Sequence, residues 1–305
     1  MRRFLQRLRS HTDNRQREHG FTFVEIVVVA PIVILSITAF IAVAIQLTGE
    51  VLISREQDTM VYSIQDAMNR MEQDVKLSSK FLATNSTPIT AATRQGYNNT
   101  GATSSSDATP FYNATPPSNA NGQMLVLKML ATSDNPLTDT AQFIYLSNSP
   151  NACGATQTDN TPLFYNVVYF VKDNSLWRRV IMPVSGTYTA CPTVGGSGAA
   201  VPYQRASCRV GYTDTAACKT EDEMLVRGVS TAGFTLAYYA NATTTTQDTT
   251  ASTNSNNTTR QTALNADKSV LVTINGSLSV AGRTVSESSN LRATRLPVMD
   301  KFSSM

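Results

Sequence analysis

Glu25 is the only charged residue in an apolar run that starts at Phe21 and extends to Leu47. A carboxylate in a lipid-like medium costs several kcal/mol unless it is paired, so an acid in such a run points to pairing chemistry rather than packing. A cation could come from the chain itself. Cleavage after Gly20 would free an amine at Phe21, and Glu25 would then be the fifth residue of the new chain. The chemistry implied is peptide hydrolysis at Gly20–Phe21 by an external enzyme, followed by an ammonium–carboxylate contact in an apolar setting.

Three elements must position these residues. The first is a basic leader, residues 1–20, carrying Arg2, Arg3, Arg7, Arg9, Arg15 and Arg17 against Asp13 and Glu18. Arginine-rich flanks stay cytoplasmic, so the rest of the chain is expected on the far side of the membrane. The second is the run at 21–47, long enough for a membrane-spanning helix, which needs about 20 apolar residues. The third is an amphipathic continuation at 48–83. Met60, Ile64, Met68, Met71 and Val75 recur every three or four residues, the period of a helix with one buried face. Arg55, Glu56, Asp58, Asp66, Asn69, Arg70 and Asp74 are read onto its other faces. Pro31, inside the apolar run, is expected to perturb the helix there.

The Gly20, Phe21, Thr22 and Glu25 pattern, with a basic leader before it and an apolar run after it, resembles the leader-peptidase site of the type IV pilin and pseudopilin superfamily. The resemblance implies that Gly20 is the last leader residue and that Phe21 becomes an N-methylated terminus. It also implies that Glu25 pairs with the Phe21 amine of a neighbouring subunit during assembly. A secretory signal peptide fits less well, since its cleavage follows the apolar core. The plain alternative is a signal anchor that contains a glutamate.

The exported part, residues 84–305, reads as a β-rich domain with low-complexity insertions at 84–122 and 241–262. Both insertions are rich in Asn, Thr, Ser and Ala and poor in large apolar residues. Apolar runs at 123–130, 141–146, 163–171, 176–182, 224–229, 234–239, 269–274, 277–280 and 291–298 predict strands. Lys172-Asp173-Asn174-Ser175 predicts a hairpin turn, and Asn275-Gly276 predicts a tight turn or a bulge. The expected fold class is α+β: one long N-terminal helix packed on an antiparallel sheet. Val168 to Arg179, Leu225 to Tyr239 and Leu291 to Arg295 resemble, in the same order, segments of J-type pseudopilins and PilW-like minor pilins.

Cys153, Cys191, Cys208 and Cys218 all lie in the exported part, where disulfides form. Four cysteines allow three connectivities. A hairpin over 163–182 would bring Cys153 and Cys191 to its open end and leave Cys208 and Cys218 to close a loop of their own. The other pairings stay open.

Both histidines, His11 and His19, fall in the leader. Processing would leave none, which removes histidine-dependent nucleophilic catalysis and histidine metal ligation. No Cys-x-x-Cys is present to bind zinc. No cofactor is expected and no metal site is assigned. Glu221-Asp222-Glu223 lacks calcium-loop spacing and reads as a solvated turn. Trp177-Arg178-Arg179 could contact nucleic acid, with exposed arginines beside a packed tryptophan as the plainer reading. Without its leader the chain has 19 basic and 20 acidic residues, too little positive charge for a broad nucleic-acid footprint.

These readings converge on a non-enzymatic minor pilin or pseudopilin, a single-pass protein of the cytoplasmic membrane that enters a surface filament. Its long insertions suit a tip or initiating subunit. The implied partners are a prepilin peptidase, other subunits of the filament and the membrane assembly platform. The alternatives are an adhesin or DNA-binding tip module on the same anchor and a signal-anchored exported hydrolase with an acidic pair.

Overall fold

The structure, a computed structural model, describes residues 22–83, 124–138, 141, 143–147, 161–182, 189–191, 202–208, 220–253 and 257–296. The insertion at 84–122 lies outside them. The chain divides into two compact units, Met1–Ser54 and Arg55–Met305.

One helix, α1, runs Phe23–Leu77. It passes through Pro31 without a break in helical assignment, although proline has no N–H to bond the Val27 carbonyl. In the first unit its side chains are exposed and apolar, and the segment is long and apolar enough to cross a membrane.

In the second unit α1 becomes amphipathic. Met60, Ile64, Ala67, Met68, Met71 and Val75 are buried, so the methionine-rich stripe read from the 3.6-residue period is the core-facing side. Each such side chain contributes roughly 1.5–3 kcal/mol of burial free energy. The helix stops at Leu77, short of the expected boundary at 83. Ser78–Phe81 is already a strand, β1, whose Ser78 and Ser79 are buried.

The first sheet contains β1, β2 (Leu125–Leu130), β5 (Phe164–Lys172), β6 (Ser175–Ile181) and β10 (Glu223–Arg227). They are antiparallel in the spatial order β1-β2-β5-β6-β10. Side chains alternate across it. Leu125, Leu127, Met129, Tyr165, Val167, Tyr169, Leu176 and Val180 share one core with the α1 stripe. Val126, Val168, Phe170 and Ile181 form a second cluster on the other face, with Leu82 and Trp177. Between these strands the chain also makes β3 (Tyr145–Ser147), β4 (Thr161–Pro162) and β7 (Thr189–Cys191), a small three-stranded sheet. A parallel pair, β8 (Ser207–Cys208) and β9 (Thr220–Glu221), lies beside it in sequence.

The expected hairpin at Lys172–Ser175 is present. Asp173 and Asn174 both have φ of 51°, as a two-residue type I′ turn requires. β10 ends at Arg227, and the chain changes sheets at Gly228. Its φ of 75° is left-handed, and a Cβ there would lie 2.6 Å from the Ser277 carbonyl oxygen. Glycine is the residue this corner accepts.

Beyond the corner, β11 (Val229–Tyr239), β12 (Ser269–Val280) and β13 (Arg283–Thr294) form an antiparallel sheet in that order. Of the two readings of Asn275-Gly276, tight turn or bulge, the structure corrects the turn. β12 runs straight through that dipeptide, paired with β13 from Ser269↔Thr294 to Val280↔Arg283. The irregularity lies on the partner strand, in β11 between Val229 and Phe234. Gly276 serves packing: a Cβ there would come within 3.0 Å of the Met60 Sδ on α1. The hairpin turn falls at Ala281-Gly282, with φ of 51° and 78°.

The segment 241–262, read as a low-complexity surface insertion, carries two short helices, Thr249–Thr253 and Asn257–Ala266. Few apolar residues hold it: Ala251 and Leu264 are fully buried. Side-chain caps supply the rest. Asn241 Oδ1 accepts from the Thr243 and Thr244 N–H groups, and Asp248 Oδ1 from those of Thr250 and Ala251. Gln261 ties the second helix to β1, accepting from the Ala83 N–H and donating to the Phe81 carbonyl. Asn, Asp and Thr are poor core formers but good local hydrogen bonders, which composition alone does not reveal.

Candidate assembly site

Gly20 and Phe21 lie outside the described residues. Glu25 stands in the first turn of α1, with Thr22 directly before the helix. The Thr22 N–H donates to Glu25 Oε2 at 2.8 Å and the Thr22 hydroxyl donates to the same oxygen at 3.0 Å. The Glu25 N–H returns a bond to Thr22 Oγ1 at 3.3 Å. This reciprocal arrangement is a capping box, satisfying N–H groups that a helix start leaves without partners. Its signature, Thr-x-x-Glu before an apolar run, is in the sequence. It was not among the readings of Glu25 drawn from the sequence.

The capping box changes what Glu25 does in the isolated chain. The two bonds that reach the carboxylate come from neutral groups. They lower the cost of the carboxylate in an apolar medium without cancelling its charge. A cation brought to the helix start would still gain by pairing with it. The surrounding side chains suit an apolar medium or a packed helix bundle: Phe23 is 81% exposed and Phe40 75%. Exposed apolar surface this continuous marks an interaction or membrane site in a folded chain. Ser36 and Thr38 turn their hydroxyls back onto the carbonyls of Ile32 and Ile34, so they add no free donor to it.

In the second unit, four acidic and basic residues expected at the surface, Asp74, Arg178, Arg179 and Asp222, are taken into the fold. Asp74 lies on the core side of α1 and accepts from Arg178 Nε at 2.8 Å and from the Tyr169 hydroxyl. Arg179, adjacent to Arg178 in β6, points to the other face of the sheet. Its Nε lies 2.8 Å from Asp222 Oδ1, and the guanidinium sits 5.3 Å from the Phe170 ring centroid. Asp222 also accepts from Ser207 Oγ at 3.0 Å.

The plainer reading of Trp177-Arg178-Arg179, exposed arginines beside a packed tryptophan, is therefore corrected, and the exposed basic pair that a nucleic-acid contact would use is not there. Both guanidinium groups are taken up by carboxylates inside the fold, and the Trp177 indole donates to the Lys172 carbonyl at 3.1 Å. Glu221-Asp222-Glu223, read as a solvated turn, instead joins β9 to β10 and is exposed only at its two glutamates. Burial would lower the pKa of Arg178, but the Asp74 carboxylate outweighs it and holds the pKa above its ordinary value. Burial, reinforced by Asp74, raises that of Tyr169.

The cysteine pairing lies outside the described residues for Cys153 and Cys218. Cys191 is a backbone partner of Tyr145 in β7, and Cys208 of Glu221 in β8. Among the described residues no group of three or more His, Cys, Asp or Glu side chains is arranged to hold a metal ion. No protein-family model, curated protein or solved structure matches this chain.

Proposed function

We propose that this protein is a minor subunit of a type IV pilus-like filament, similar to PilW-like minor pilins and J-type pseudopilins. In this reading a prepilin peptidase cuts after Gly20 and methylates Phe21. The exposed apolar half of α1 anchors the precursor in the cytoplasmic membrane, with the second unit exported. The same half-helix then leaves the bilayer and packs among those of neighbouring subunits. The observation that carries the reading is the form of α1: an exposed apolar half with one capped carboxylate at its start, continuing into an amphipathic half that closes the core of an α+β unit.

The capping box gives the assembly step a physical rationale. Thr22 keeps Glu25 tolerable in lipid while the subunit waits. A neighbour's Phe21 ammonium, itself costly in an apolar medium, then replaces neutral donors with a full counter-charge.

N-terminal mass spectrometry of the protein from its own cells tests the proposal. A chain starting at methylated Phe21 is the expected result. An intact Met1, or a terminus elsewhere, would reduce Glu25 to the helix cap of a signal anchor and overturn the assignment.

A further inference from the structure

A cavity of about 480 Å³ opens in the second unit between α1, the turn at 134–138 and the segments 202–207 and 220–223. Its volume falls in the range of about 300–1,000 Å³ typical of small-molecule sites. Nothing in the proposed filament role uses it.

The cavity holds an unused donor. Tyr165 is 3% exposed and its ring belongs to the main core, yet it lines the cavity. Among the described residues its hydroxyl has no hydrogen-bond partner, whereas Tyr169, four residues further along β5 on the same face, bonds Asp74. Buried tyrosine hydroxyls are usually satisfied, so a free one facing a cavity has the direction of a ligand contact. Burial, with the Asp74 charge nearby, pushes its pKa up, so it stays protonated and can donate.

Part of the lining is pre-organised. Gln204 and Thr132 bond reciprocally: the Thr132 N–H donates to Gln204 Oε1 at 3.0 Å and Gln204 Nε2 donates to Thr132 Oγ1 at 2.7 Å. The Tyr203 N–H donates to the Thr132 carbonyl at 2.8 Å. This fixes Tyr203 at the cavity with half of its surface exposed.

The charges lining the cavity balance: Asp74 and Arg178 pair with each other, and Arg70 and Arg205 stand against Glu221 and Glu223. An anion or a cation would gain little net attraction. A ligand whose groups both donate and accept would use both kinds of partner. Hydroxyls do so, donating to carboxylates and accepting from guanidinium and phenol. The exposed Tyr203 ring offers a π-face to weakly polarised C–H groups.

We infer that this cavity binds a neutral sugar of one or two rings. A ring face stacks on Tyr203, its hydroxyls meet Arg205 and the rim carboxylates, and one hydroxyl accepts from Tyr165. This inference does not rest on the filament reading, and either can fail alone.

The test uses the full chain in phosphatidylcholine nanodiscs, free of glycoside detergent. Saturation-transfer NMR and titration are run with cellobiose, lactose and N,N′-diacetylchitobiose, and with an N-acetylated Glu-Glu amide as the anionic control. At least one disaccharide should bind and the acidic peptide should not. Tyr165→Phe, which keeps the packed ring, should weaken binding about tenfold, the size of one lost hydrogen bond in a closed site. Tyr203→Ala should abolish saturation transfer to the ring C–H protons. The inference is overturned by failure of all three sugars at millimolar concentration, by preference for the acidic peptide, or by sugar binding that neither substitution changes.

Discussion

Asp74 on α1 and Arg178 on β6 meet at 2.8 Å, with side chains only 9% and 11% exposed. The pair joins the amphipathic half of the helix to β6, the fourth strand of the five-stranded sheet, and Tyr169 on the central strand β5 donates to the same carboxylate. Breaking such a pair strands one charge in the core. Asp74→Ala should therefore cost about 3–5 kcal/mol in chemical or thermal unfolding. The double variant Asp74→Leu with Arg178→Met should recover much of that loss, because neither charge remains buried alone. A double variant as unstable as the single one would mean that the damage comes from packing or from the lost Tyr169 contact.

Gly228 turns the chain from one sheet into the other with φ of 75°, its Cβ position blocked by the Ser277 carbonyl and Leu278. Gly228→Ala should destabilise by at least about 2 kcal/mol, through left-handed strain and the clash together. Gly282 has a similar φ of 78° but open space around it. Gly282→Ala should cost less, about 1 kcal/mol. Equal losses at both sites would show that the contact with β12 is relieved elsewhere.

Asp267 is buried between the helix Asn257–Ala266 and β12, and its carboxyl is pushed up to about 7. Burial is the main cause. The nearby Asp248 adds to it and Arg295 opposes it. A raised folded-state pKa means that the unfolded chain loses this proton first, at about pH 4. The stability linked to it is complete below that point and drains away as pH rises towards 7. Asp267→Asn, which stays neutral, should remove this decline and raise the unfolding temperature at pH 8 relative to the native chain. No change at pH 8, or a lower one, would mean that the carboxylate is compensated within the fold.

Glu25 now has two separable roles, cap and charge. Glu25→Gln keeps an acceptor for Thr22 and removes the charge. Glu25→Ala removes both, and an N-terminal capping loss is typically about 1 kcal/mol. If pairing with a neighbour's amine drives assembly, both variants should insert in the membrane and be depleted from sheared filaments. Normal filament incorporation of Glu25→Gln would assign the residue to capping alone.

Most of the helix was legible from local pattern. The apolar run, the single Glu25 and the spacing of Met60, Ile64, Met68, Met71 and Val75 are properties of one continuous helix, whose period needs no distant partner to be seen. The Asp173-Asn174 turn was legible for a similar reason, since two residues flanked by apolar runs determine their own backbone. The capping box was equally local in Thr22 and Glu25, but the charge of Glu25 drew the reading towards intermolecular pairing.

What the sequence could not determine depended on which segments meet. Asp74 looks solvent-facing on a helix until β6 places Arg178 against it, 104 residues away. Arg178 and Arg179 look like a basic patch until the strand sends them to opposite faces, each towards a carboxylate. Asn275-Gly276 has turn chemistry, yet β13 pairs across it and Met60 fills the space its missing side chain leaves. The described part of 241–262 lacks a core by composition and is held through caps, Gln261 and, just beyond it, Leu264. Local preferences are worth tenths of a kcal/mol to about one, whereas leaving a buried charge or backbone group without a partner costs several. Wherever the two compete, the tertiary structure decides.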